Sequence, residues 1–201
     1  MIAVIDYGAG NLKSVTNALD YLKCENKVVN SPEELENADK IIFPGVGSFG
    51  DVVARLNKRK LFKPLKEEIL NGKPYLGICL GLQILFESSE ESHGKGFGIF
   101  RGKIEKFRAL KVPHIGWNQI KIIRPGNLFK DVKNNSFVYF DHSYYAGIKN
   151  KPMVTSATDY GIDFISALEE GNIHATQFHP EKSGAIGLKI LKNFAKCSPK
   201  G

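Results

Sequence analysis

From Ile2 to Cys79 the chain repeats one pattern: a short apolar run of β type, then a segment with helical periodicity. Ile2–Asp6 reads as a strand, and Leu12, Val15, Leu19 and Leu22 then fall on one face of a helix over about Leu12–Lys23. Asn26–Asn30 predicts a second strand, Ser31-Pro32-Glu33-Glu34 a capped helix start, and Lys40–Phe43 a third strand. After further helix, Pro74–Cys79 ends a fourth strand and Leu82–Glu87 opens another helix. Strands that alternate with helices predict a mostly parallel central sheet covered on both faces, a three-layer α/β fold.

The second half changes character. Ile104–Phe107, Trp117–Ile123, Phe137–Tyr145, Met153–Thr158, Phe164–Glu170 and Ile173–Phe178 are short β-type runs broken by Gly, Pro, Asn and Asp. They predict additional antiparallel strands that extend the same sheet or lie beside it. A closing helix is expected over roughly Ile186–Ala195, after Gly184. No repeat, low-complexity stretch or linker interrupts the 201 residues, so residues 1–201 are expected to form a single domain.

Composition narrows the function classes. No apolar run approaches the ~20 residues that span a bilayer. The N-terminus has no basic segment before its apolar residues, and Asp6 interrupts them, which argues against a secretory signal. Three cysteines, Cys24, Cys79 and Cys197, are too few for a disulfide framework, so a cytoplasmic setting is expected. The formal charge of +7 raises nucleic acid as a partner, but the densest basic stretch, Arg55–Glu68, interleaves its lysines with leucines and Phe62. That stretch reads as a solvated amphipathic face, with no nucleic-acid motif beside it.

Three motifs carry chemistry. Gly77-Ile78-Cys79-Leu80-Gly81 lies between a strand and a helix and has the form of a nucleophile elbow, where small residues flank a side chain projected from a sharp turn. A helix N-terminus behind Cys79 would favour its thiolate. Taken alone, the pentapeptide equally fits a small buried hydrophobe with glycines for close packing. His179-Pro180-Glu181 supplies an imidazole on a proline-fixed loop with a carboxylate two residues on, which makes Cys79-His179-Glu181 a nucleophile, base and orienting group. Gly45-Val46-Gly47-Ser48-Phe49-Gly50 matches a dinucleotide fingerprint, but it follows the third strand and no strand-ending acid comes at the expected distance. Its glycines fit better as a turn that points backbone N–H groups at an oxyanion. Gly8-Ala9-Gly10-Asn11 fits a phosphate-contacting turn, a partner contact or a plain turn. No pair among Cys79 and the five histidines has metal-ligand spacing, and neither a metal nor another cofactor is expected.

"PGVGSFG", "GICLGLQILFE", "PHIGWN" and "QFHPEKS", in that order from Pro44 to Ser183, resemble the class I (triad) glutamine amidotransferase family, which has a flavodoxin-like fold. Within it they are most similar to the glutaminase subunits of imidazole glycerol phosphate synthase, in histidine biosynthesis. "PHIGWN", the form of the glycine strand and the opening Asp6–Asn11 point to that branch.

The resemblance implies that Cys79 attacks the carboxamide of glutamine, with His179 as base and acid and Glu181 orienting it. The oxyanion would be held by the N–H of Leu80 and one from Val46 or Gly47. Gly47, Gln83, Ser143 and Tyr144 would line the glutamine pocket, with His142 nearby. The implied partner is a (β/α)8-barrel cyclase that receives the ammonia and makes imidazole glycerol phosphate and the aminoimidazole carboxamide ribotide. Asn11, Trp117 and Lys182 would face it. The family's low activity without the liganded partner fits a strand at Gly45-Val46-Gly47 whose amide points away from the site until a peptide flip, inexpensive between glycines, turns it inward. Tyr145 stands at or next to a position where other members often carry arginine.

Two rival functions are a glutaminase subunit of pyridoxal phosphate synthase and a non-catalytic nucleotide-binding module that uses Gly45–Gly50. The first lacks "PHIGWN" and has a Gly-Gly-Glu-Ser turn where this chain has Pro44–Gly47.

Overall fold

A computed structural model describes residues 1–108, 110–147 and 152–197. Its first part follows the alternation read from the sequence: β1 (Ile2–Ile5), α1 (Leu12–Tyr21), β2 (Asn26–Val29), α2 (Pro32–Glu36), β3 (Lys40–Gly45), α3 (Phe49–Lys58), α4 (Phe62–Leu70) and β4 (Tyr75–Cys79). The basic stretch splits between α3 and α4. Lys60 takes a positive φ at the break, while Leu56, Leu61, Leu65 and Ile69 all turn inward.

After Cys79 the chain departs from expectation. The helix expected over Leu82–Glu87 is a single turn, α5 (Leu80–Gln83), and Phe86 already begins β5 (Phe86–Ser89). β6 (Ser92–Lys95) and β7 (Phe100–Lys106) complete a small excursion, with β5 pairing β7 in parallel and β6 antiparallel. The apolar run Ile84-Leu85-Phe86 is buried on every side, so burial and not a helical face explains its composition.

The remaining strands are β8 (His114–Gln119), β9 (Lys121–Ile122), β10 (Phe137–His142), β11 (Tyr144–Ala146), β12 (Val154–Asp159), β13 (Asp163–Glu170) and β14 (Ile173–Thr176). A 3₁₀ turn (Pro180–Lys182) and α6 (Gly184–Ala195) follow.

The main sheet has eight strands in the order β2-β1-β3-β4-β14-β13-β12-β9. The first five run parallel and the last three add antiparallel. The late antiparallel strands thus do two things: some extend the parallel sheet, and others form a β10-β8 pair and a β11-β7-β5-β6 sheet beside it.

Alternating residues of β1 divide the core. Ala3 and Ile5 pack with residues of α2, α3 and α4, whereas Ile2 and Val4 pack with α1 and α6. Each face of the parallel sheet is therefore covered by helices, as near-continuous apolar strands require. Among the described residues, no helix is long and apolar enough to cross a membrane.

Candidate active site

In a parallel sheet, functional groups gather beyond the carboxyl ends of the strands, where no further side chains bury them. Three adjacent strands end together here. Gly45 of β3 pairs with Cys79 of β4, and Ile78 of β4 pairs with Thr176 of β14. That register sets Cys79 between the glycine strand following β3 and the loop following β14, which carries His179.

Cys79 has φ 53° and ψ −102°, a backbone conformation disfavoured for a residue with a Cβ. The turn around it is closed so tightly that Cβ atoms would not fit on its glycines. One on Gly77 would strike the carbonyl of Gly81, and one on Gly81 the carbonyl of Phe43. The buried Tyr75 hydroxyl donates to the Gly81 carbonyl at 2.8 Å and pins the turn from below. The glycines are thus required by close backbone approach, and the strain falls on Cys79 itself. Since α5 is one turn long, its dipole does little for the sulfur.

The imidazole does more. His179 Nδ1 lies 2.8 Å from Glu181 Oε1, which leaves Nε2 for the Cys79 sulfur, and both side chains are almost fully buried. Burial opposes a charged ring, but the charge and hydrogen bond of Cys79, followed by those of Glu181, outweigh it and raise the His179 pKa to about 10. Pro180 opens the 3₁₀ turn that brings Glu181 back to the ring. The backbone is fixed by His179 N–H donating to the Tyr139 carbonyl at 2.9 Å and Ser183 Oγ donating to the His179 carbonyl at 2.6 Å.

A cavity of about 290 Å³ opens over the sulfur, lined by Gly45, Val46, Gly47, Leu80, Gln83, Glu91, Pro113, Asp141, His142, Ser143 and Tyr144 along with Cys79. Every residue expected around glutamine reaches this cavity, though two differ in what they can offer. Gln83 donates its amide to the Tyr144 carbonyl at 2.9 Å and to Gln177 Oε1 at 3.2 Å, leaving only its carbonyl oxygen uncommitted.

Both ring nitrogens of His142 are taken, Nδ1 by the Tyr144 carbonyl at 2.9 Å and Nε2 by His114 Nδ1 at 3.0 Å. His142 therefore shapes the wall and offers no N–H inward. Asn118 Nδ2 lies 3.3 Å from His114 Nε2, and together these partners assign neutral tautomers along the chain Asn118–His114–His142–Tyr144. Burial depresses the pKa of His114 to about 4 and, chiefly, that of His142 to about 3.

The oxyanion donors also need a correction. Val46 N–H donates to the Tyr7 hydroxyl at 3.1 Å and the Val46 carbonyl accepts from that hydroxyl at 3.0 Å, so in this structure Val46 presents neither group to the cavity. Leu80 N–H heads the one-turn helix and has no intrahelical partner. The dinucleotide alternative for this segment fails on charge. Ser48 caps α3 by accepting from Asp51 N–H, and Phe49 N–H donates to the Glu91 carboxylate at 2.6 Å, where a phosphate would have to sit. Tyr145 lies outside the cavity lining and donates to Glu105 at 3.2 Å.

The three residues expected to face a partner lie apart from the sulfur. Trp117 of β8 is 56% exposed and meets the ring of Tyr139, its cross-strand neighbour, edge-on at 6.2 Å. Lys182 Nζ lies 5.4 Å from the centroid of the same ring. Asn11 sits at the N-cap of α1 without using its side chain as a cap. Among the described residues no cluster of His, Cys, Asp and Glu could hold a metal ion.

Sequence reasoning passed over Gln177, Asp141 and Tyr7. Gln177 is fully buried and donates to the Cys79 sulfur at 3.4 Å, and the Asp141 carbonyl lies 3.8 Å from that sulfur. A glutamine just past the buried strand Ile173–Thr176, two residues before His179, was the available signal for the first.

Comparison with known proteins gives the family. Residues 3–197 match the family described as Glutamine amidotransferase class-I. The chain is 48% identical over 202 residues to imidazole glycerol phosphate synthase subunit HisH of Methanocaldococcus jannaschii, covering 98% of this chain and 99% of that one. It is 46% identical over 200 residues to imidazole glycerol phosphate synthase hisHF of Arabidopsis thaliana, covering 96% of this chain and 34% of the longer protein.

In fold it is similar to a solved glutamine amidotransferase, with TM-score 0.76 at 16% identity over 98% of this chain and 100% of that one. PurLQS of Thermotoga maritima gives 0.75 at 20% identity over 96% of each chain. The chain belongs to the class I glutamine amidotransferases, among the HisH subunits of imidazole glycerol phosphate synthase.

Proposed function

We propose that this chain, acting as one domain over residues 1–201 in the cytoplasm, hydrolyses glutamine through Cys79, His179 and Glu181 and passes the ammonia to a cyclase subunit. The observation that carries the reading is His179 held between the Cys79 sulfur and Glu181 at the ends of adjacent strands. His179 first takes the proton of the Cys79 thiol through Nε2, which gives a thiolate beside an imidazolium.

The thiolate attacks the carboxamide carbon of glutamine, and the C–O π electrons move to oxygen. As the tetrahedral intermediate collapses, Nε2–H of His179 protonates the departing nitrogen, and ammonia and a γ-glutamyl thioester result. Water, deprotonated by the now neutral His179, attacks the thioester. Glutamate leaves and the thiolate–imidazolium pair is restored. Leu80 N–H and an amide of the Val46–Gly47 strand stabilise the oxyanion. Gln177 supports the sulfur's negative charge, and Gly47, Gln83, Ser143 and Tyr144 hold the substrate.

The partner is a (β/α)8-barrel cyclase that adds the ammonia to its nucleotide substrate, yielding imidazole glycerol phosphate and the aminoimidazole carboxamide ribotide. Its seat is the face built by β8 and β10, where Ile115, Trp117 and Phe137 are each more than half exposed and Lys182 lies over Tyr139. Asn11 joins this face from α1, which packs against the 3₁₀ turn carrying Lys182. The three free cysteines accord with a reducing compartment.

Glutamate release, measured alone and with the cyclase and its nucleotide substrate, tests the reading. Turnover should be negligible alone and strongly stimulated in the mixture, and Cys79→Ala should reduce it by roughly 10³-fold or more. Stimulated turnover that survives in Cys79→Ala overturns the triad.

A further inference from the structure

The parallel sheet separates Val46 from the sulfur it is expected to serve. β3 lies between β1 and β4, and Val46 follows the last residue of β3. In extended backbone the N–H and C=O of one residue point to the same edge. Both groups of Val46 meet the Tyr7 hydroxyl, two residues beyond β1, and so both point away from Cys79 at the end of β4.

We infer that Tyr7 is a positioning residue for the oxyanion hole: its hydroxyl latches the Val46 peptide groups outward, and its withdrawal lets the Val46 N–H turn onto the substrate oxygen. The inference rests on the glutaminase reading above and adds the residue that would regulate the same site.

Four features support a latch over an incidental contact. The Tyr7 side chain is almost wholly buried, and its ring stacks on Phe43 of β3 with centroids 5.2 Å apart and planes 3° apart, so the hydroxyl is aimed by packing. Burial, the leading cause, pushes the Tyr7 phenol up to about 12, so it remains both donor and acceptor at any working pH. The peptides to be turned are Gly45–Val46 and Val46–Gly47, each with a glycine to absorb the rotation. Gly47 already has φ +105°, and nothing lies within 4 Å of where a Cβ would stand, so space is available.

The turn that carries Tyr7 is also held from elsewhere. Arg59 Nη1 donates to the Asp6 carbonyl at 3.2 Å and Arg55 Nη1 to the Gly8 carbonyl at 3.0 Å. Asn11, with its side chain uncommitted as a cap, ends the same turn after Gly8 and Gly10, both at positive φ. A partner that engages Asn11 therefore contacts the far end of the same turn that begins at the latch residue, Tyr7.

Tyr7→Phe keeps the stacked ring and removes only the hydroxyl. Its turnover is to be measured alone and with the cyclase and nucleotide substrate, together with hydrogen exchange of the Val46 amide and the thermal midpoint. The latch predicts that unstimulated kcat rises about tenfold, the scale of one net hydrogen bond. KM for glutamine should stay within about twofold, and stimulated kcat should change much less, so the stimulation ratio falls. Protection of the Val46 amide should fall as well.

Unstimulated kcat that stays level or drops while Val46 loses protection overturns the latch and makes Tyr7 structural. Unchanged Val46 protection overturns it too. Turnover that persists in Tyr7→Phe/Cys79→Ala removes the glutaminase reading itself, which separates that failure from a failure of the latch.

Discussion

Two neighbouring strand ends border the site, and Gly77 and Gly81 at one serve the opposite purpose from Gly47 just beyond the other. At the end of β4, Gly77 and Gly81 have backbone against the place a Cβ would fill, and Tyr75 fixes the turn from beneath. At the end of β3, Gly47 faces open space and the strand is tied sideways by a single phenol. The first glycines make a rigid mount for a strained nucleophile, and the second leaves a segment free to adopt two positions. On the proposed function, in which turnover waits for a partner, that division is useful: the attacking atom is fixed, and the group that stabilises charge in the transition state is movable.

The largest expected effect breaks the rigid side. Gly81→Ala forces a methyl into the Phe43 carbonyl, which only backbone movement can relieve, and should cost about 3 kcal/mol or more by denaturant unfolding. A variant as stable as the parent would show that the turn is not closed as described.

The histidines behind the site give the next effect. His114 and His142 titrate far below the ~6.5 of an unfolded histidine, so the folded state binds protons less readily than the unfolded one. The stability they contribute is full above about pH 6.5 and is lost as pH falls towards their folded values near 4 and 3. His179 has the opposite sign: its raised pKa contributes below about pH 6.5 and the contribution fades as pH rises through about 10. Unfolding midpoints from pH 8 to 4 should hold and then decline, and His142→Gln should flatten the acid limb. An acid limb that is the same in the variant would remove these rings as its cause.

The smallest stability effect belongs to the movable side. Gly47→Ala adds strain at φ +105° but meets no atoms, so it should cost on the order of 1 kcal/mol while stimulated turnover falls clearly. Full stimulated turnover in that variant would argue against a moving strand.

These contrasts explain what was legible in the sequence. The alternation through β4 could be read because each strand and helix there is defined by local periodicity, with Leu12, Val15 and Leu19 on one face and Ser31-Pro32 at a cap. Leu82–Glu87 misled because three consecutive buried residues look alike in a helix and in a strand. What fixes Phe86 as strand is pairing with Phe100, which lies outside any local window.

Cys79, His179 and Glu181 were legible because motif and spacing carry them. Tyr7 was not, since its hydroxyl matters only through a residue 39 positions away that the sheet order brings alongside. Gln177 was passed over for a similar reason: its partners Cys79 and Gln83 are placed by the β4–β14 register.

The proposed chemistry needs Cys79 as the nucleophile, singled out by the fold from Cys24 and Cys197. A glutamine analogue with an electrophilic diazoketone in place of its amide, incubated with the chain and cyclase and followed by peptide mass spectrometry, tests it most directly. One adduct is expected, on the peptide containing Cys79, that excess glutamine suppresses and His179→Asn slows. An adduct on Cys24 or Cys197, or labelling of Cys79 that glutamine does not affect, would contradict it.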